Sequence, residues 1–158
     1  MADARFEDGA EQGLSLRAET VDDVAILSAL VQDAVFPIEE MRWDRKGRRL
    51  ALLVNRFRWE DRESAERSRR PYERARALLV IGGVTGLASQ GIDRLARDTI
   101  LSILSLEWEE GPDGTGRLLL ILAGDGAVRA KVECIDVTLR DVTRPYVAPS
   151  HHMPHHPD

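Results

Sequence analysis

Lysine is almost absent from this chain: of 22 basic side chains in 158 residues, only Lys46 and Lys131 are lysines and the other 20 are arginines. A GC-rich genome writes such a bias, because arginine codons are GC-rich. Its physical consequence is a protein whose cations are nearly all planar, permanently charged and able to donate in pairs. Cysteine is as scarce. Cys134 stands alone, which excludes an intramolecular disulfide and any zinc or iron–sulfur centre built from several cysteines of this chain, and favours a reducing compartment. Its apolar sequence neighbours predict a buried, inert thiol. No apolar run approaches the roughly 18 residues of a membrane-spanning helix. The N-terminal segment is acidic (Asp3, Glu7, Asp8) where a secretion signal would be basic and then apolar. The cytoplasm is the expected location, with no membrane partner.

Histidine is missing from residues 1–150: His151, His152, His155 and His156 all fall in the last eight positions. A Ser-His-Asp triad, a Cys-His pair or a histidine-ligated metal in a preformed pocket therefore has no parts in the body of the chain, and no cofactor is expected. The four terminal histidines are a weak candidate metal site, since neutral imidazoles ligate transition metals well. A solvated tail is the plainer reading.

Residues 1–12 are polar and acidic without periodicity, and residues 145–158 are rich in proline and histidine. Both read as disordered tails flanking one domain at 13–144. Within it, Leu14 to Ala18 alternates as a short strand. Thr20 offers an N-cap with Asp23 three residues on, and Val24, Leu27, Leu30, Val31 and Ala34 recur at helical spacing up to Pro37, predicting the main helix. The period then becomes two. Strands are predicted at 36–43, 48–58, 76–83, 86–91, 99–109, 116–123 and 126–134, joined by turns at Lys46-Gly47, Gly111 to Gly114 and Gly124 to Gly126. Ile135, Leu139 and Val142 suit a short closing helix, with a strand nearly as good. One strong helix and mostly hairpin connections imply an antiparallel α+β fold. We expect a strongly curved sheet or a partly closed barrel of the pleckstrin-homology kind.

Three stretches carry a family resemblance: Leu16 to Ala34 (LRAETVDDVAILSALVQDA), Leu53 to Glu60 (LVNRFRWE) and Val132 to Ile135 (VECI). Together they resemble a proteobacterial group, domain of unknown function 2948, across nearly the whole predicted domain. The resemblance implies a bacterial cytoplasmic protein and brings no activity, cofactor or catalytic residue with it.

Val80 to Asp93 (VIGGVTGLASQGID) superficially suggests a nucleotide-binding glycine loop. The glycine offsets fail the dinucleotide pattern, and Ile92-Asp93 follows where a P-loop needs Lys-Ser/Thr. A hairpin or bulge is the expectation there. Glu107, Glu109 and Glu110 around Trp108 are the natural parts for a carboxylate-based enzyme, yet in a strand Glu107 and Glu109 would share a solvated face with Trp108 turned inward.

Charge is segregated. Residues 42–76 hold 13 basic and 6 acidic side chains, a local excess of +7 in a chain whose total is −5, leaving −12 for the remainder. Such polarisation presents a dipole to partners. The expected function is a non-enzymatic binding or scaffolding module using an arginine-rich face, with Arg42, Arg45, Arg49, Arg56, Arg58, Trp59, Arg69, Arg70 and Tyr72 as binding residues. A protein partner or self-association suits arginine and tryptophan anchors. Trp43, Phe57, Trp59 and Tyr72 interleaved with arginines also suit single-stranded nucleic acid, RNA included. The competing structural expectation is that residues 60–76 neutralise themselves through internal ion pairs.

Overall fold

The computed structural model describes residues 13–147 and 153–154. Strand β1 (Ser15–Ala18) leads into helix α1 (Val21–Val31) through the predicted cap. The Thr20 hydroxyl accepts from the Asp23 amide at 3.2 Å, and the Asp23 carboxylate accepts in return from the Thr20 amide at 3.2 Å. A cap of this kind contributes about 1 kcal/mol, and its two backbone bonds and Thr20 hold the Asp23 carboxyl below its ordinary pKa. The helix buries Val24, Leu27 and Val31 and stops where Asp33 turns left-handed at φ 64°. From there the chain joins the sheet at once: the Asp33 amide donates to the Ile103 carbonyl and the Ile103 amide to that of Ala34.

The remaining elements are β2 (Val35–Pro37), β3 (Met41–Asp44), β4 (Arg49–Phe57), α2 (Arg62–Arg67), β5 (Glu73–Ile81), β6 (Val84–Gln90), β7 (Ile100–Glu110), β8 (Gly116–Leu122), β9 (Ala127–Val132), β10 (Val137–Asp141) and β11 (Tyr146–Val147). All strand pairs are antiparallel, in the order β1-β10-β5-β4-β2-β7-β8-β9-β6, with β3 on β4 and β11 on β5. The fold is thus antiparallel α+β, as the patterning implies, and the sheet is not closed.

Short β2 couples the two halves, with one bridge to β4 and three paired positions on β7. The strands alternate as half-buried strands should. Leu50, Leu52 and Val54 of β4 join Leu79 and Ile81 of β5, Leu118, Leu120 and Leu122 of β8, and Val128 and Val132 of β9 in one core under α1. Each such side chain contributes about 1.5–3 kcal/mol by leaving water.

Three expectations need correction, and one element was not predicted. The strand expected at 36–43 is broken by a 3₁₀ turn at Ile38–Glu40. The closing segment is strand β10 and not a helix: Val137 and Leu139 are buried while Arg140 is exposed, and β10 bonds to β1 on one edge and β5 on the other. Two flanking ladders satisfy its backbone, which outweighs an apolar helical spacing that was coincidental. The short helix α2, with only Ala65 buried, has too narrow an apolar stripe to show in the sequence. Cys134 is exposed, because the chain leaves the sheet after Val132 and crosses to β10 through a turn. In addition, Tyr146 and Val147, read as tail, pair with Arg74 and Glu73. The remaining tail positions fall outside the described residues, except 145, 153 and 154.

Candidate functional site

The arginines of residues 42–76 divide into two populations. One is consumed inside the protein. Arg56, at the inward end of β4, is wholly buried and forks between two carboxylates: Nε and Nη2 donate to Asp141 at 2.8 Å each, and Nη1 and Nη2 donate to Glu60 at 2.8 and 2.7 Å. Burial alone would lower its pKa, but the hydrogen bonds and charges of Glu60 and Asp141 overcome that and raise it. Arg58, also buried, donates to Glu73 at 2.6 Å and lies 3.6 Å from Asp61. Arg70 grips Asp61 bidentately at 2.6 Å on both oxygens. That grip, opposed by burial and aided by the charge of Arg58, holds the Asp61 carboxyl below its ordinary value.

The aromatic rings of this region are equally engaged. Phe57 is buried and packs edge-on against Trp59 at 4.6 Å between centroids, with Tyr72 at 5.5 Å on another side. The Trp59 indole donates to the Gln32 carbonyl at 2.9 Å, and the Tyr72 hydroxyl donates to Glu66 at 3.1 Å. Partial burial and that acidic neighbour raise the Tyr72 pKa. These rings fix the exit of α1 and the entry to α2. They do not form an open stacking platform.

The other population faces solvent. Arg42 and Arg45, from β3 and the turn after it, line a cleft of about 440 Å³ together with Arg94 and Arg97 from the loop between β6 and β7. All four are exposed, and none has a carboxylate within ion-pair distance among the described residues. Arg94 donates to Ser89 at 3.3 Å. Leu50, Val128 and Leu87 supply apolar wall, with Ile38, Met41 and Trp43 beside them, and Glu39 is the one acidic residue in the lining. Asp93 and Asp98 belong to the same loop as Arg94 and Arg97 but do not line the cleft. Leu95, between those arginines, is 92% exposed.

The cleft is a gap in the sheet. β3 bonds to β4 only and β6 to β9 only, so their second edges are unpaired. At one end the gap is closed by the Val84 amide donating to the Arg48 carbonyl at 2.9 Å, and at the other by Ile38 and Glu39 amides donating to Thr99 and Arg97 carbonyls at 3.0 Å each.

Of the residues singled out from sequence, only Arg42 and Arg45 meet at this cleft. Arg56, Arg58 and Arg70 belong to the internal network, Trp59 and Tyr72 pack beside it, and Arg49 lies 3.7 Å from Asp44 on the outer face. Arg69 is exposed in the turn after α2, at φ 53°. Arg94 and Arg97 went unnoticed because they lie outside the basic run. Their one signal was an i, i+3 pair in a segment with no strand or helix pattern. His151, His152, His155 and His156 lie outside the described residues. Among the described residues no three His, Cys, Asp or Glu side chains could hold a metal ion together, and no helix is long and apolar enough to cross a membrane.

The glycine stretch is strand and turn. Gly83 at φ 65° carries the chain from β5 to β6, a bulge follows between Val84 and Gly86, and no helix N-terminus stands there to meet a phosphate. Glu107 and Glu109 are exposed on β7, with Trp108 packed toward the core.

No curated protein and no solved structure matches this chain. The family described as "Protein of unknown function (DUF2948)" matches residues 14–156, and the chain belongs to that family.

Proposed function

We propose that this chain is a bacterial cytoplasmic binding module that holds an anionic ligand in the cleft between β3 and β6. The observation that carries the reading is the convergence of Arg42, Arg45, Arg94 and Arg97 from two separate segments on one cleft without acidic partners. Several arginines elsewhere are paired closely, as at Arg56, Arg58, Arg70 and Arg117, and the exposed ones that are not paired among the described residues, such as Arg67, Arg129 and Arg140, do not line this cleft. Four like charges left together cost stability, and a ligand carrying negative charge offsets that cost. The volume falls in the range of ligand clefts, and the apolar wall with a few polar groups at the rim is the usual composition of one.

A binding role is favoured over catalysis because Glu39 is the single carboxylate of the cleft lining and no histidine, cysteine, lysine or tyrosine of the described residues stands beside it to share acid–base work. Nucleic-acid binding through residues 42–76 is the less favoured reading, since Phe57, Trp59 and Tyr72 are occupied within the fold.

The test is a titration with a short poly-glutamate peptide, read by Trp43 fluorescence in a variant whose Trp59 and Trp108 are replaced by phenylalanine. Binding should weaken as salt rises, since the contacts are between ions. Arg42→Glu with Arg97→Glu should reduce affinity at least about tenfold, which corresponds to about 1.4 kcal/mol. Equal affinity in the double variant would sink the cleft as the site.

A further inference from the structure

We propose that the ligand is an extended acidic segment of a partner protein, which adds as a strand along the free edge of β3 with alternating acidic and apolar side chains. This rests on the reading of the cleft as an anion site and names the ligand's class.

Three features point to a peptide. The first is backbone chemistry. Met41–Asp44 spends one edge on β4, and Val84–Gln90 spends one edge on β9. The edges left over are both on strands that line the cleft, and among the described residues no other backbone group bonds to them beyond the closures at Val84 and Met41. Unpaired strand edges are templates for another chain, and natural proteins normally blunt them with cover or inward charge. Both strands border the same cleft, so a strand laid along β3 meets backbone groups that no other strand of the described residues uses.

The second feature is charge. Edge protection in natural sheets deters any strand, whereas four arginines deter only cationic or neutral ones. An acidic strand is drawn in, because guanidinium forks match carboxylates in planar pairs. The third is the pairing of polarity within one cleft. Arginines sit at the rim and Leu50, Leu87 and Val128 in the wall. An extended peptide presents successive side chains to opposite faces, so alternating carboxylates and aliphatic groups would meet the two linings in turn. Strand addition of this kind draws affinity from main-chain bonds and specificity from alternate side chains. A single-stranded nucleic acid would use the arginines but leave both strand edges without partners.

The experiment compares two synthetic peptides of about six residues, a common strand length, each alternating aspartate and valine. One is N-methylated at every second amide. Binding is followed by titration and by amide hydrogen exchange on the intact chain, alongside inorganic phosphate and a short single-stranded oligonucleotide. The proposal expects the unmodified peptide to bind, N-methylation to weaken it at least about tenfold, and amides within Met41–Asp44 to gain protection. Equal binding of the methylated peptide without that protection overturns strand addition and leaves the anion cleft standing. Binding of oligonucleotide or phosphate but not peptide, lost in the Arg42→Glu/Arg97→Glu variant, does the same. If none of the probes binds, or if binding ignores that variant, both the peptide and the cleft readings fall. Because the replaced arginines are exposed and unpaired, the variant should keep the melting temperature of the parent, which separates lost binding from lost folding.

Discussion

Arg56 and Asp141 face each other across the interior with both side chains essentially out of water, 0% and 1% exposed, and with two parallel hydrogen bonds of 2.8 Å. The pair ties the end of β4 to the end of β10. Asp141 also accepts from the Leu14 amide at 2.9 Å, so one carboxylate anchors the entry to β1 as well. Breaking a buried pair by deleting one partner strands a charge and costs about 3–5 kcal/mol, whereas replacing both by apolar groups is often neutral. Asp141→Leu should therefore destabilise by about that amount in urea unfolding. Adding Arg56→Met should recover part of it, since Glu60 loses the same guanidinium but is partly exposed and keeps Arg58 at 3.7 Å. If the double variant is as unstable as the single one, the pair is not the unit that matters.

Asp61 makes the acid limb of stability readable. Its bidentate bond from Arg70 leads, followed by the charges of Arg58 and Arg70 acting against burial, and the folded pKa lies below the ordinary 3.8. A carboxylate so depressed stabilises the fold above the unfolded pKa, and that contribution is lost as pH falls through the folded value. Stability should hold level from about pH 8 to 5, with no histidine in residues 13–147 to titrate there, and then decline below about pH 4. In Asp61→Asn, unfolding measured against pH should show a lower plateau and a shallower decline. A full-sized decline in that variant would assign the acid limb to other carboxylates.

Much of the scaffold was legible in the sequence because it rests on local signals. The Thr20–Asp23 cap, the α1 stripe and the alternation of β4, β8 and β9 each occupy one stretch of chain. The charged interior was not legible. Arg56 pairs with Asp141, 85 positions away, and nothing in the local pattern separates an arginine committed to a distant carboxylate from one held in solvent. Inward alternation did hold a clue: Leu50, Leu52, Val54 and Arg56 share the inner face of β4, so continuing the period would have placed Arg56 inside. The cleft was half legible for the same reason. Arg42 and Arg45 stand in the conspicuous basic run, while Arg94 and Arg97 reach the site from a loop whose path depends on how β6 and β7 are placed.

Gly116 marks a close approach. A Cβ there would run into the Trp108 ring and would lie 2.5 Å from the Glu109 carbonyl oxygen across the β7–β8 ladder. Backbone cannot give way as a flexible side chain can. Gly116→Ala should destabilise by about 1–3 kcal/mol, the usual cost of overpacking, and should alter the emission of Trp108 in a protein carrying that tryptophan alone. An unchanged melting temperature would mean that both the ring and the β7–β8 ladder shift at little cost.

The two arginine populations should respond to substitution with opposite signs. Arg58→Gln takes one of two cations from the partly buried Glu73 and Asp61, leaving them to Arg70 alone among the described residues, and should cost about 1–3 kcal/mol, the range for losing a buried hydrogen bond to a charged group. Arg97→Gln removes one of four positive charges that line the cleft with a single carboxylate, Glu39, and that make no ion pair among the described residues. Nothing is stranded by that change, and mutual repulsion falls, so stability should stay within about 0.5 kcal/mol or rise slightly. The expected gain should shrink as salt is added, because exposed charges within a Debye length are progressively screened. A residue retained for folding cannot improve the fold by leaving it; one retained for a ligand can. Thermal unfolding of Arg97→Gln at low and high salt therefore bears directly on why the cleft arginines are there, and a loss matching that of Arg58→Gln would return Arg97 to the scaffold.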